Sequence, residues 1–262
     1  MPATLSSILL AAAATLGPVV PLSPSPAASP TAAPALVRLG ESVMGYVARP
    51  KGAGPFPGVV VIHEWWGLNA QIRGVADRLA REGYLAVVPD LYHGKSASEP
   101  EKAHELMRGL DEEAAVADLA KAADWLVAEA KAGSGAAAAK KPPAIGSVGF
   151  CMGGRLSLLF GMADRRDRAV AVFYGRPETS RELLGKLAGP VLAFFGAEDE
   201  GLGPDKAKAF DAALAEAKVK HEVNVVAGAG HAFMNETRES YRETQAKDAW
   251  AKLLALFAKE LR

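Results

Sequence analysis

The hexapeptide Gly149-Phe150-Cys151-Met152-Gly153-Gly154 lies where an apolar run, 145–150, meets a stretch of helical periodicity, about 152 to 162. A strand that runs directly into a helix must turn sharply, and glycines two before and two after the apex leave room for both segments. The apex side chain is held at the helix N-terminus, where free N–H groups favour an anion such as a thiolate. This pattern is typical of a nucleophile elbow, with Cys151 in place of serine.

Two other interpretations of the hexapeptide are open when it is taken alone. Cys151 can be a buried structural residue, because free cysteine is among the most buried residue types. A dinucleotide-binding loop fits less well, since the glycine spacing differs from G-x-G-x-x-G and no acidic residue follows about 20 positions later at a strand end. The partners of the cysteine therefore decide between these interpretations.

An acid and a histidine follow the elbow along the chain. Asp199 comes just past the apolar run 191–195 and His231 just past the last predicted strand, in the order nucleophile, acid, histidine. Because the carboxyl ends of parallel strands meet at one edge of a sheet, the three side chains are expected to converge. The sequence thus predicts a Cys-His-Asp catalytic triad. Two neighbouring acids, Glu198 and Glu200, compete with Asp199 for its role.

Apolar runs alternate with helical periodicity from residue 42 onward. The run 58–63, GVVVIH, is continuous and β-branched, which is typical of a strand buried on both faces. This alternation predicts an α/β fold, a mostly parallel twisted sheet with helices on both faces, in a single domain over 37–262. Strands are predicted at 58–63, 84–88, 145–150, 169–174, 191–195 and 221–226, and helices near 72–80, 114–130, 152–162, 178–187, 204–217 and 241–261.

Composition excludes several classes of function. The 262 residues carry 30 Lys+Arg and 30 Asp+Glu, so the formal net charge of +0 argues against a nucleic-acid or acidic-membrane binder. Half of the residues are hydrophobic, which favours one large core over disorder. The single cysteine excludes an intrachain disulfide and a Cys-based zinc cluster, and no metal site is predicted.

The N-terminal segment 1–36 has no charged side chain. Its apolar run, 8–16, is too short to span a bilayer, which takes about 20 apolar residues. We therefore expect a signal peptide followed by a Pro/Ala/Ser-rich disordered stretch, and export to the periplasm or the medium without stable membrane insertion. The alternative is a cytoplasmic protein with an unfolded N-terminus.

The chain resembles the dienelactone hydrolase family (carboxymethylenebutenolidase-like proteins) of the α/β-hydrolase fold over nearly all of 42–261. By this resemblance Cys151 is the nucleophile, His231 the base and Asp199 the residue that orients it. Family members also place a glutamate after an early strand, matched here by Glu64, which shifts the resting thiol toward thiolate when substrate arrives. The matching segments are VIHEWWGLN (61–69), VPDLY (88–92), GFCMGG (149–154), GAED (196–199) and GHAF (230–233).

The resemblance implies a hydrolase for small esters or lactones that passes through a thioester intermediate and needs no cofactor. Two backbone N–H groups are expected to form the oxyanion hole, that of Met152 after the nucleophile and, by resemblance, that of Trp65. The protein is expected to be a monomer. The main alternative is a ligand-binding or sensing protein with the same fold and little turnover. A peptidase is a weaker alternative, because the sequence shows no lid or propeller domain that would select peptides.

One departure from the family concerns the substrate. The best-known lactonases have an arginine a few residues after the catalytic histidine, where this chain has Asn235, and the first nearby arginine is Arg238. This difference argues against an anionic dienelactone. An aromatic-lined pocket is predicted instead, although core packing at strand ends is an alternative explanation of the same residues. The predicted pocket residues are Trp66, Tyr92, Tyr174 and Asn235.

The remaining histidines are expected to divide into two groups. His63 and His93 each end a strand-loop segment and are expected to line the cleft of the triad. His104 and His221 are expected to be structural, His221 because it lies within a predicted strand.

Overall fold

The computed structural model describes residues 35–133 and 144–262, so the predicted leader, 1–36, lies outside the described residues except for its last two positions. The described residues form eight strands and seven helices. In chain order these are β1 (Val37–Arg38), β2 (Met44–Ala48), β3 (Gly58–Ile62), α1 (Ala70–Arg81), β4 (Leu85–Pro89), α2 (Pro100–Arg108), α3 (Glu112–Gly133), β5 (Ile145–Phe150), α4 (Met152–Ala163), β6 (Asp167–Phe173), α5 (Arg181–Leu184), β7 (Val191–Gly196), α6 (Pro204–Glu216), β8 (His221–Val226) and α7 (Glu243–Leu261).

All eight strands belong to one sheet with the order β1-β2-β4-β3-β5-β6-β7-β8. Strands β3 to β8 are parallel, whereas β1 and β2 form an antiparallel extension at one edge. The chain passes from β3 to β4 on one side and then to β5 on the other. The carboxyl ends of β3 and β5 therefore flank the crevice where the strand order reverses, which is the usual ligand site of such sheets.

Helices cover both faces of the sheet, because the side chains of each central strand alternate between them. Val59 and Val61 of β3 pack into a core shared with α1 and α7. Val60 and Ile62 pack into a second core shared with α3 and α4. The predicted fold, a mostly parallel sheet between two helical layers, is confirmed.

Three elements were not predicted, namely β1, β2 and α2. Helix α2 buries only Ala103 fully, and its nine residues are fewer than the roughly 11 over which helical periodicity is usually recognised, although Leu106 and Met107 lie on the same face. The helix predicted near 178–187 is a single turn, α5, which the Ser180 side chain caps by accepting from the Leu183 N–H. Among the described residues, no helix is long and apolar enough to cross a membrane.

Candidate active site

The predicted elbow lies between β5 and α4. Cys151 has φ 54° and ψ −116°, a conformation that costs a non-glycine residue about 1 to 3 kcal/mol and is common at functional sites. A Cβ atom added at Gly149 would lie 1.8 Å from the Gly153 carbonyl oxygen, and one added at Gly153 would lie 2.3 Å from the Ile62 carbonyl oxygen. Both positions therefore require glycine, as the sequence pattern predicts.

A cavity of about 590 Å³ opens in front of the elbow, and we name it the first cavity. Cys151 is half-buried in its wall, so the sulfur is not sealed in the core. Glu64, which follows β3, and His231, which follows β8, line the same cavity. The crevice between β3 and β5 thus contains the predicted nucleophile and base together.

His231 is held by a buried carboxylate. Its Nδ1 atom lies 2.7 Å from Oδ2 of Asp199, whose side chain is 5% exposed. The other oxygen, Oδ1, accepts hydrogen bonds from the N–H groups of Gly201 (3.0 Å) and Leu202 (2.9 Å). These contacts fix the orientation of the imidazole. The two competing acids, Glu198 and Glu200, are exposed, and within the described chain neither is bonded to His231.

Electrostatics favour a charged imidazole. Burial lowers the pKa of His231, but its hydrogen bonds with Asp199 and with the Cys151 sulfur outweigh burial and raise this pKa to about 10. For Asp199 burial raises the pKa, and the hydrogen bond with His231 and those from two backbone N–H groups together hold it below its ordinary value. An imidazolium beside a cysteine stabilises the thiolate, which is the reactive form.

Glu64 lines the first cavity, but its hydrogen bonds are with residues outside the triad. Its Oε1 accepts from the Tyr174 hydroxyl at 3.1 Å, and its Oε2 accepts from Asn235 Nδ2 at 2.8 Å. Burial raises the pKa of Glu64, although both hydrogen bonds and the nearby charge of His231 act in the opposite direction. A carboxyl group of this kind can exchange a proton under mild conditions.

Of the four predicted pocket residues, one lines the first cavity and three do not. Trp66 lines the first cavity, whereas Tyr174 and Asn235 are buried beneath it and bind Glu64. Tyr174 has φ 40°, a conformation that sequence does not reveal for a tyrosine. The hydroxyl of Tyr92 contacts Met152 Sδ at 3.3 Å, and its ring lies on a separate cavity.

Several wall residues of the first cavity were missed. His104 was expected to be structural, but it lines this cavity, and its ring lies 4.6 Å from that of Trp65. Arg238 also lines it, with its guanidinium 3.8 Å from the centre of the Trp66 ring. His104 lies on α2, which periodicity did not predict. The ring contact with Trp65 therefore had no signal in the sequence.

The two histidines expected in the cleft are absent from the wall of the first cavity. His63 is fully buried, with Nδ1 2.6 Å from the Glu64 carbonyl oxygen. His93 is exposed at a separate cavity and pairs with Asp118 at 3.3 Å. The side chain of a residue at the end of a strand can point into the core or toward solvent, and the fact that both residues are histidines did not indicate which. His221 lies in β8 and contacts Asp211 at 3.3 Å, away from the triad.

The two expected oxyanion donors come from the residue after the nucleophile, Met152, and from Trp65, which lines the first cavity with Cys151. Met152 is the first residue of α4, and neither its N–H nor that of Trp65 has an acceptor among the described residues. The Glu64 carbonyl accepts from the Gly67 N–H at 3.1 Å and contacts His63, which fixes the peptide that carries the Trp65 N–H. Residues 35–133 and 144–262 contain no cluster of His, Cys, Asp and Glu side chains that could hold a metal ion.

Comparison with known proteins identifies the family. The profile of the Dienelactone hydrolase family matches residues 43–261. Protein usf of Aquifex pyrophilus is 36% identical over 230 residues, which cover 85% of this chain and 95% of that protein. A candidate carboxymethylenebutenolidase of Synechocystis is 32% identical over 233 residues, covering 84% and 93%. The crystal structure of a candidate dienelactone hydrolase from Klebsiella pneumoniae has a TM-score of 0.73 at 34% identity, covering 84% and 94%. The chain belongs to the dienelactone hydrolase family and is an α/β-hydrolase that acts on carboxylic esters.

Proposed function

We propose that the protein hydrolyses small esters or lactones through Cys151, His231 and Asp199, with an acyl-thioester intermediate. The observation that carries this proposal is the strained, half-buried Cys151 in one cavity with an imidazole that is held 2.7 Å from a buried carboxylate. The resemblance of this arrangement to a Ser-His-Asp triad, with sulfur as the nucleophile, supports the same chemistry.

The reaction has two steps. The Cys151 thiolate attacks the carbonyl carbon and forms a C–S bond, and the carbonyl π electrons move onto the oxygen. The resulting oxyanion accepts hydrogen bonds from the backbone N–H groups of Met152 and Trp65. Each such donor contributes about 3 to 4 kcal/mol to lowering the barrier. The carbonyl then re-forms as the C–O bond breaks, and the His231 imidazolium gives its proton to the leaving alkoxide oxygen, which departs as the alcohol. Water activated by His231 next attacks the thioester, which releases the acid and restores the thiolate.

Glu64 has a separate role in this proposal. It takes the proton of the resting Cys151 thiol, so that the sulfur becomes a thiolate paired with His231. The raised pKa of Glu64 and its place in the first cavity support this role. The carboxyl group must first move toward the sulfur, because Tyr174 and Asn235 bind both of its oxygens in this structure.

Alkylation and mutagenesis test the triad. The chain has one cysteine, so incorporation of iodoacetamide reports on Cys151 alone. With p-nitrophenyl acetate, we expect Cys151→Ala to be inactive and His231→Ala to lose up to about a millionfold in kcat. The matched control is His221→Ala, which removes an imidazole outside the first cavity and is expected to keep wild-type activity. Full turnover by Cys151→Ala would contradict the proposal. Saturable ligand binding by an enzyme with no turnover would favour the sensing alternative.

We further propose that the mature protein is an exported monomer. The charge-free segment 1–36 with its apolar run supports export. Mass spectrometry of the purified native protein is expected to find an N-terminus well after Met1, and light scattering is expected to give the mass of one chain. An intact Met1 in a soluble cytoplasmic fraction would contradict export.

A further inference from the structure

A second cavity of about 390 Å³ also reaches the nucleophile. Its walls come from α2, α3, α4 and the loops after α2, β6 and β7, and most of the lining side chains are apolar. Cys151 and Met107 line both cavities, whereas His231 lines only the first. The sulfur therefore lies at the junction of two spaces with different linings. The apolar residues of the second cavity are Met107, Leu110, Met152, Leu156 and Leu202.

The position of His231 determines which part of an ester occupies each cavity. The imidazolium must reach the leaving oxygen to protonate it, so the alcohol portion has to lie in the first cavity. The carbonyl oxygen points to the N–H groups of Met152 and Trp65. Of the three substituents on the carbonyl carbon, only the acyl chain is left to place, and the second cavity, formed by described residues, also opens at Cys151.

We infer that the second cavity is an acyl-chain subsite that takes a linear aliphatic chain. This inference rests on the proposed function, because it assumes that Cys151 carries the acyl group. An apolar chain is favoured there, since each buried methylene contributes about fourfold in binding. The first cavity, with Trp65, Trp66 and Arg238 in its walls, is then the alcohol side.

Paired charges limit the length of the chain. Arg176 bonds to Glu112 at 2.8 Å, and Arg155 lies 3.6 Å from the same carboxylate and 3.3 Å from Glu178. Arg155, Arg176 and Glu112 all line the second cavity. A chain long enough to press against them would have to strip water from these ion pairs without replacing it. Activity is therefore expected to rise with chain length and then fall.

The test compares p-nitrophenyl acetate, butyrate, hexanoate and octanoate, which share one leaving group. For the wild type we expect kcat/KM to pass through a maximum at butyrate or hexanoate. Leu110→Trp, which fills the second cavity, should lower the hexanoate-to-acetate ratio of kcat/KM at least tenfold. Leu110→Ala, which enlarges the second cavity, should raise the octanoate-to-acetate ratio of kcat/KM. The two Leu110 variants are thus expected to shift the preference for acyl-chain length in opposite directions. Val225→Trp places the same indole on an exposed strand position and should leave both ratios unchanged.

The outcomes separate this inference from the proposed function. If the wild type hydrolyses none of the four esters, or if Cys151→Ala hydrolyses them fully, the proposed function fails. If turnover requires Cys151 but neither Leu110 variant changes the ratios, the acyl assignment alone is overturned. It is equally overturned if Trp66→Ala, in the first cavity, changes the acyl-length ratios while the Leu110 variants do not.

Discussion

Glu64 and Asp167 are both buried acids, and in both burial is the main reason that the pKa is raised. Glu64 follows the carboxyl end of β3, whereas Asp167 begins β6 at the opposite end of the parallel strands. Asp167 accepts a hydrogen bond from the Ser147 hydroxyl at 2.5 Å, and Ser147 in turn contacts Ser157 Oγ at 2.8 Å. One carboxylate oxygen of Asp167, Oδ2, thus belongs to a buried network of hydroxyl groups, whereas Oδ1 has no hydrogen-bond partner among the described residues.

The two acids differ in what they can reach. Glu64 faces a cavity that also holds Cys151 and His231, so a change in its protonation can be transmitted to reacting groups. Asp167 is fully buried and lines no described cavity that contains the triad. A raised pKa therefore does not identify a functional acid by itself. Access to a nucleophile distinguishes the two residues.

The largest expected effect is on activity. Glu64→Gln should lower kcat/KM for p-nitrophenyl acetate about a hundredfold, because an amide cannot take the thiol proton. Asp167→Asn should stay within about twofold of the wild type. Initial rates of both purified variants check this contrast. Equal losses in the two variants would show that the comparison between them is wrong.

A smaller effect is expected on stability. Asp167→Ala should lower the free energy of unfolding by about 1 to 3 kcal/mol, because it leaves the buried Ser147 hydroxyl without its acceptor. Asp167→Asn keeps an oxygen at this position and should lose less. Urea denaturation followed by circular dichroism measures both values. A cost for Asp167→Asn as large as that for Asp167→Ala would contradict this account of the network.

The smallest effect concerns pH. The pKa of Glu64 in the folded state lies above its ordinary value of 4.5, so the folded state binds this proton more tightly than the unfolded state. Stability is therefore lost as pH rises from that ordinary value through the folded pKa. Glu64→Gln removes this loss, so its Tm relative to that of the wild type should rise as pH increases above about 4.5.

A matched control for the pH prediction is Glu216→Gln, which changes an exposed glutamate on α6. Its Tm should follow the wild type at every pH. Thermal melts of the three proteins across the pH series provide the comparison. A Tm difference between Glu64→Gln and the wild type that shrinks with rising pH would have the wrong sign.

The elbow and the order of its partners could be predicted because they depend on local sequence. The glycines around Cys151 are required by backbone contacts, Asp199 follows the continuous apolar run of β7, and His231 follows β8, whose valines alternate less clearly with polar residues. The position of Tyr174 could not be predicted, since a left-handed backbone at a tyrosine depends on the packing around it. His104 was missed because α2 has only nine residues, too few for its helical spacing to stand out in the sequence. Its place in the cavity depends on tertiary contacts alone.

The elbow separates the part of the site that the backbone dictates from the part that is free to vary. Alanine at Gly149 would bring its methyl group 1.8 Å from a carbonyl oxygen, so this position cannot change without moving a strand and a helix. The side chain at 151 meets no such barrier, since it borders open space. Evolution can therefore exchange the reactive atom, sulfur for a hydroxyl oxygen, in one substitution and inherit the surrounding architecture unchanged.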